Sequence, residues 1–348
     1  MLHLVNLSKS YGNQVLFDNL TCTINPGEKI GLVGRNGSGK TTLFNIILGK
    51  TPADTGEVNH PSDYRIGHLE QIADFKSESA LEEALKGLHR REYGDEWKAK
   101  KLLAGLGFSE KMMESAPSIL SSGYKIRLNL AKLILSDPNL LLLDEPNNYL
   151  DIVSIRWLIN YLKDWKKELI IISHDRNFLE QTTDYTILIH REQLRKFNLT
   201  PSESLAKIAE EEEVHEKTRL NYEKKREQTE EYIRRFRAKA RMAKSVQSAV
   251  KALEKQEAIV KLDQIRGIDF AFQSKPLRSP SVMTLENISF SYSNSPLFQN
   301  INLEIGSRDR ICVTGKNGIG KTTLLRIMAG DLEMTGGSIK THPSIKIA

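Results

Sequence analysis

Residues 34–42, GRNGSGKTT, constrain this chain more than any other stretch. They fit the spacing G-x-x-x-x-G-K-[ST], with Gly34, Gly39, Lys40 and Thr41 at the fixed places. Glycines let the backbone wrap so tightly that the N–H groups of Arg35, Asn36, Gly37 and Ser38 turn inward toward an anion. A helix starting near Lys40 adds its positive end. The Lys40 ammonium then reaches the β- and γ-phosphates, and the hydroxyl of Thr41, followed by Thr42, offers a ligand to Mg²⁺. The flanks agree: IGLV (30–33) reads as a buried strand and TLFNIIL (42–48) as an apolar helix.

The motif recurs as GKNGIGKTT at 315–323, which assigns the same role to Gly315, Lys316, Asn317, Gly318, Ile319, Gly320, Lys321, Thr322 and Thr323. Residues 4–67 and 285–348 align without a gap at an offset of 281, the separation of Gly34 from Gly315. Leu4, Tyr11, Leu16, Phe17, Asn19, Ile24 and Ile30 fall on Leu285, Tyr292, Leu297, Phe298, Asn300, Ile305 and Ile311. This is a domain duplication and not a short-period repeat. Ala348 corresponds to Gly67, so the second copy is expected to be truncated. Cys22 and Cys312, expected at corresponding places of the two copies, read as small core residues and not as a disulfide. No apolar run approaches the ~20 residues a bilayer span needs. The N-terminus carries no signal-peptide pattern, and the expected location is cytoplasmic.

Between the first copy and its end lie further chemical groups. Tyr11, in a loop ahead of the phosphate loop, offers a ring on which an adenine stacks, and Tyr292 repeats it; a strand-end tyrosine is the bland alternative. Two helical segments are expected around 78–90 and 95–106 as packing elements. ILSSGYKIRLNLAKLIL (119–135) is a helix opened by Ser121 and Ser122, whose start, with Gly123, suits either plain N-capping or an anion. NLLLLDEP (139–146) is a buried parallel strand ending in two carboxylates. Asp144 there suits Mg²⁺, and Glu145 suits polarising an attacking water. LIIISHDR (169–176) is another buried strand with His174 at its end, placed for a γ-phosphate contact.

Together these residues resemble an ATP-binding cassette domain over essentially all of 1–195 and again over 282–348. The resemblance implies an α/β fold of the P-loop NTPase cassette type. A helical linker and the N-terminal part of a second cassette would follow it. It also places Gln71 in the family's Q-loop, with a share in Mg²⁺ binding and catalysis, and His174 in its switch. DEPNNYLD (144–151) matches closely, whereas LSSGY (120–124) departs from the usual LSGGQ signature, so that Ser122 adds a side chain where glycine allows close approach. In such proteins ATP lies between the phosphate loop of one cassette and the signature of the other.

The intervening segment is charged and patterned. Residues 203–231 hold ten acidic and six basic side chains, whereas 234–251 hold seven basic and none acidic, against a net charge of +6 for the whole chain. No Pro or Gly occurs from 202 to 266, so an antiparallel helical hairpin with a turn near 236–244 is expected. Its basic tip, with Arg234, Arg235, Arg237, Lys239, Arg241 and Lys244, is an electrostatic footprint for a polyanion; a solvated coiled coil is the plainer reading. The wording EEYIRRFRAKARMAKSVQSAVKALEK is similar to the linker of ABC-F proteins. That resemblance implies a ribosome-acting ATPase using ATP and Mg²⁺, bound at the E site with its linker toward P-site tRNA. It implies no membrane or DNA partner. The expected organisation is a first cassette at 1–198, a linker at 199–281 and part of a second cassette at 282–348. Two alternatives stay open: the ATPase component of an ABC transporter, and a nucleotide-binding fragment with poor turnover. In the latter, pairing of two chains through their first domains would be needed for activity.

Overall fold

Leu140–Leu143 and Leu169–Ile172 are apolar at every position, the pattern of strands covered on both faces. In the computed structural model they form the centre of a six-stranded sheet. The structure describes residues 1–69, 75–88, 95–148, 150–236, 279–292, 295–345 and 347, with a few positions between 247 and 253.

The first copy opens with β1 (Leu2–Tyr11), β2 (Gln14–Ile24), β3 (Lys29–Gly34), α1 (Lys40–Ile47), β4 (Thr55–Asn59) and β5 (Ile66–His68). Then come α2 (Ala80–Leu85), α3 (Glu96–Gly105), α4 (Glu110–Glu114), α5 (Ser122–Leu135), β6 (Leu140–Asp144) and α6 (Ile152–Lys163). It ends with β7 (Glu168–Ile172), α7 (Arg176–Thr182), β8 (Tyr185–His190) and β9 (Gln193–Phe197). The large sheet runs β5-β6-β7-β3-β8-β9, parallel except for the antiparallel edge strand β9. A separate antiparallel sheet, β2-β1-β4, shares one core with α1 and alternate residues of β3, β6 and β7. A second core joins α2, α3, α5, α6 and α7 to the other faces of β6 and β7. Because β6, β7 and β3 are parallel neighbours, their carboxyl ends share one edge, where α/β sheets place ligands. The architecture is α/β.

The second copy contributes β10 (Ser281–Phe290), β11 (Phe298–Gly306), α9 (Lys321–Ala329) and β12 (Gly336–Thr341). Its sheet, β11-β10-β12, repeats β2-β1-β4 in order and direction. The repetition extends to single dihedral angles: Asn6 and Asn19 have φ of 50° and 52°, and Asn287 and Asn300, 281 residues on, both have 52°. Gly56 and Gly337 are likewise equivalent, with φ of 82° and 100°, and a Cβ on either would strike the backbone of Asn6 or Asn287 at 2.3 Å or 2.6 Å.

One expectation for this copy fails. Cys22 is buried but Cys312 is exposed, and at the offset of 281 Cys312 falls on Gly31 and not on Cys22. In the first copy Gly31 lies in β3, between β7 and β8. Residues 311–314 have no such neighbours among the described residues and form no strand, so Ile311 stays 48 % exposed.

The chain divides into two compact units, 1–200 with 273–348, and 201–272. The second unit contains α8 (Pro201–Phe236), about 54 Å long at 1.5 Å per residue. Arg219, itself buried, bridges Glu216 and Glu223 along it, and Arg226 meets Glu230 at 2.9 Å, the i,i+3 and i,i+4 spacings that place side chains on one helix face. The turn of the expected hairpin, with Arg237, Lys239, Arg241 and Lys244, lies outside the described residues, while Arg234 and Arg235 occupy the last turn of α8. No helix among the described residues is long and apolar enough to cross a membrane.

Candidate functional site

The first phosphate loop follows β3 and leads into α1, which begins at Lys40. Gly39 precedes it in the left-handed region at φ 94°, where a Cβ would lie 2.9 Å from the Phe17 ring. A Cβ on Gly34 would meet Ser38 Oγ at 2.5 Å, so that position also needs glycine. The Lys40 ammonium folds over the loop, donating to the carbonyls of Gly34 at 2.8 Å and Arg35 at 3.0 Å. Partial burial pulls its pKa down, opposed by Asp144 and Glu145.

Thr41 and Asp144 meet here. The Thr41 hydroxyl donates to Asp144 Oδ2 at 3.2 Å, joining residues 103 positions apart. A hydroxyl beside a single carboxylate is a hard-oxygen donor pair that suits Mg²⁺, which takes one or two carboxylates and completes its shell with water and phosphate. No cluster of three or more metal-ligating His, Cys, Asp or Glu residues occurs among the described residues.

Glu145 follows the last residue of β6 with φ 49°, a backbone region that side chains other than glycine enter rarely. Its N–H donates to Ile172 O at 2.8 Å, which ties the strand end to β7. Its Oε1 is buried and lies 3.6 Å from His174 Nε2, beyond hydrogen-bond length. Burial raises the Glu145 carboxyl above the usual range against the pull of His174, with the Asp144 charge adding to it. Ser173 donates to Asn147 Oδ1 at 2.8 Å, linking the loops that carry Glu145 and His174. Lys40, Thr41, Asp144, Glu145 and His174 thus share one sheet edge. Gln71 lies outside the described residues.

Tyr11 is 53 % exposed, and Lys9, itself buried, places its ammonium 5.3 Å from the ring centroid. Asp54 holds that lysine at 2.7 Å and also accepts from the Ser10 N–H at 2.7 Å and hydroxyl at 2.9 Å. The Lys9 hydrogen bond, followed by those from Ser10, pulls the Asp54 carboxyl down to about 2. In the second copy the ring is held otherwise: Phe290 packs edge-on to Tyr292 at 4.7 Å, and the Tyr292 hydroxyl lies 3.2 Å from Thr323 Oγ1.

The second phosphate loop repeats the first, with Lys321 donating to Gly315 O at 2.8 Å and Lys316 O at 2.7 Å, and Gly320 at φ 101°. It faces the start of α5 across a cleft of about 510 Å³. Ser121, Gly123, Tyr124 and Arg127 line one wall, and Tyr292, Asn317, Gly318, Gly320, Lys321, Thr322 and Thr323 the other. Ser121 occupies the N-cap position of α5 but makes no capping bond, so its hydroxyl is not engaged by the helix. Ser122 is exposed and outside this lining.

Three residues to which the sequence assigned no role, Asp151, Arg127 and Tyr124, complete the junction. Asp151 caps α6 by accepting from Ser154 N at 2.9 Å, and its Oδ2 accepts from Asn317 N at 3.2 Å. Burial opposes ionisation of Asp151, but these two N–H groups and the Arg127 charge hold its carboxyl below the usual range. Arg127 is 1 % exposed, donates to Leu106 O at 2.9 Å and lies 4.8 Å from the Tyr124 ring centroid. An Asp before an apolar helix reads only as a cap; nothing local signals a partner 166 residues away.

A family model described as ABC transporter matches residues 17–148 and 298–346, and a second model with that description matches 187–271. The chain is 36 % identical to the probable ATP-binding protein YheS of Escherichia coli strain K12, across 97 % of this chain and 58 % of that protein. It is 37 % identical to a probable ATP-binding cassette sub-family F member 3 homolog of Encephalitozoon cuniculi, over 93 % of this chain and 55 % of that one. With human ATP-binding cassette sub-family F member 3 the identity is 31 %, over 98 % and 53 % respectively. The chain therefore spans little more than half the length of these relatives. A solved structure, the ATP-binding subunit of an ABC transporter, superposes with a TM-score of 0.51 at 21 % identity, covering 57 % of this chain and 90 % of that one.

Proposed function

The chain belongs to the ATP-binding cassette family, among its sub-family F proteins, and on that premise we propose that it is an Mg-ATP-binding ATPase that acts on the ribosome as a translation factor. The observation that carries the nucleotide part is the facing of the α5 start and the second phosphate loop, with Asp151 bonded across it to Asn317. Lys40 and Lys321 would hold phosphate, and Thr41, Asp144 and Gln71 would hold Mg²⁺. Mg²⁺ supplies charge neutralisation at the phosphates. Ser121 and Gly123 present a hydroxyl and N–H groups to the nucleotide on the second loop. Glu145, kept close to His174, orients water for attack on the γ-phosphate of ATP held by the first loop.

The ribosomal part is supported by the linker. Its seven basic residues in 234–251 contrast with the acidic stretch before them, and its wording is similar to the ABC-F linker. Arg234, Arg235, Arg237, Lys239 and Arg241 then meet RNA phosphates. Replacing these five by alanine is expected to weaken co-sedimentation with ribosomes. Every RNA phosphate that the variant leaves unneutralised should reduce the log–log salt slope by roughly 0.7 to 0.9. A slope equal to that of the parent would leave the charge block as a solvated face.

The Lys9–Asp54 pair bears on the adenine. A cation held against one face of Tyr11 fixes the ring for stacking on its other side. Lys9→Met is expected to weaken ATP binding at the first loop roughly three- to tenfold. Magnesium tripolyphosphate, which has no base, should bind unchanged. Equal weakening of both ligands in calorimetry would assign Lys9 to the fold alone.

A further inference from the structure

The two copies hold the tyrosine ahead of their phosphate loops by different means. In the first, the ring is held from the antiparallel sheet: Lys9 of β1 lies over Tyr11, and Asp54, the residue before β4, holds Lys9. Among the described residues the Tyr11 hydroxyl makes no hydrogen bond, to Thr42 or to any other group. At the offset of 281, Lys9, Tyr11 and Thr42 fall on Phe290, Tyr292 and Thr323. The second copy therefore has no cation at the place of Lys9. Phe290 packs edge-on to the Tyr292 ring instead, and the hydroxyl at the ring's tip meets Thr323 Oγ1 at 3.2 Å. Thr323 is the third residue of α9, the helix that Lys321 opens. The ring is thus bonded to the helix that ends the phosphate loop.

Burial shows which partner needs this bond. Thr323 is 8 % exposed, and a buried hydroxyl is ordinarily satisfied within the protein. Tyr292 is 68 % exposed, so water is within reach of its hydroxyl and burial does not demand the bond on its side. For Tyr292 the consequence is positional. Phe290 restrains one edge and Thr323 the tip, and together they leave the ring one orientation. Tyr292 and Thr323 both line the cleft of about 510 Å³ that Gly318, Gly320 and Lys321 also line. Contacts to a base and contacts to phosphates therefore fall in one enclosure.

We propose that Thr323 is a positioning residue of the second nucleotide site. Its hydroxyl fixes the Tyr292 ring at a set distance from the N–H groups of the loop, so this site reads the base and the phosphates of a nucleoside triphosphate as one rigid unit. At the first loop, where the sheet holds the ring, the two are read independently. This rests on the Mg-ATP reading above. A ring free to swing is competent for stacking only part of the time, and apparent affinity falls by that fraction. A hydrogen bond of ordinary strength shifts such a population roughly two- to tenfold. An anion without a base never touches the ring and gains nothing from its placement. The signature is therefore the preference of the second loop for Mg-ATP over magnesium tripolyphosphate.

The test is calorimetry on the 348-residue chain carrying Lys40→Ala, so that only the second loop contributes heat. Tyr292→Phe keeps the ring and removes its hydroxyl; it should lower the preference for ATP roughly two- to tenfold. Thr323→Val keeps the shape of the side chain and should do the same. The double variant should lose no more than either single one, because the same bond is missing in all three. Thr323→Ser restores a hydroxyl and should retain the parent preference. A preference unchanged in both single variants overturns the proposal; weakening of the two ligands alike is such a result and would assign the Thr323 hydroxyl to phosphate or to the fold. Losses that add in the double variant overturn it as well. Absence of ATP binding in the Lys40→Ala background would instead remove the nucleotide reading of the second loop, and this proposal with it.

Discussion

Lys40→Ala is expected to remove Mg-ATP binding from the first cassette, with Kd raised by ~100-fold or more, about 3 kcal/mol for removal of an ammonium from a phosphate. The measurement is calorimetry in a Lys321→Ala background, so that only the first loop contributes heat. Lys40 reaches only backbone carbonyls of its own loop, at 2.8 Å and 3.0 Å, and its removal should leave the thermal unfolding midpoint nearly unchanged. Equal ATP affinity of variant and parent would refute the assignment of the loop.

The second large effect concerns turnover. These 348 residues hold one LSSGY segment and one Asp144–Glu145 pair, both in the first cassette. The first loop therefore has the carboxylates without a facing α5-type helix, whereas the second has the facing helix without its own carboxylate pair. Phosphoryl transfer relies on positioning and charge stabilisation in a closed site, and a missing wall removes several kcal/mol of that. A protein of this length is expected to hydrolyse ATP ~100-fold or more slowly than one extended by a complete second cassette. In the extended protein, Glu145→Gln should trap ATP and hold the protein on ribosomes. On the proposed role of Glu145 as the group that orients the attacking water, the acid limb of turnover should follow its base form. Because burial raises that carboxyl, activity should fall at a higher pH than an ordinary glutamate would give. Brisk turnover by the 348-residue chain, independent of its concentration, would show that both walls are not required.

Much of this was legible in the chain because it is local chemistry. A phosphate loop needs glycines at closely spaced positions whose φ values other residues avoid, and Gly37 and Gly39, at 80° and 94°, bear that demand two letters apart. One apolar strand ending in Asp144 and another ending two residues before His174 announce a sheet edge for the same reason, since buried parallel strands admit polar groups only at their ends. The duplication, too, is written residue against residue, down to Asn6 and Asn287.

What the tertiary structure alone decided are meetings across the chain. Asp151 to Asn317, Lys9 to Asp54 under Tyr11, and three tryptophans around one cleft each depend on how elements pack. A sequence motif records the backbone a site needs; the partner of a carboxylate is set by sheet order and helix placement, which no short stretch encodes. Cys312 shows the same limit from the other side. It sits in a strand-like sequence but is exposed, because burial of a β-strand comes from its neighbours in the sheet and not from its own letters.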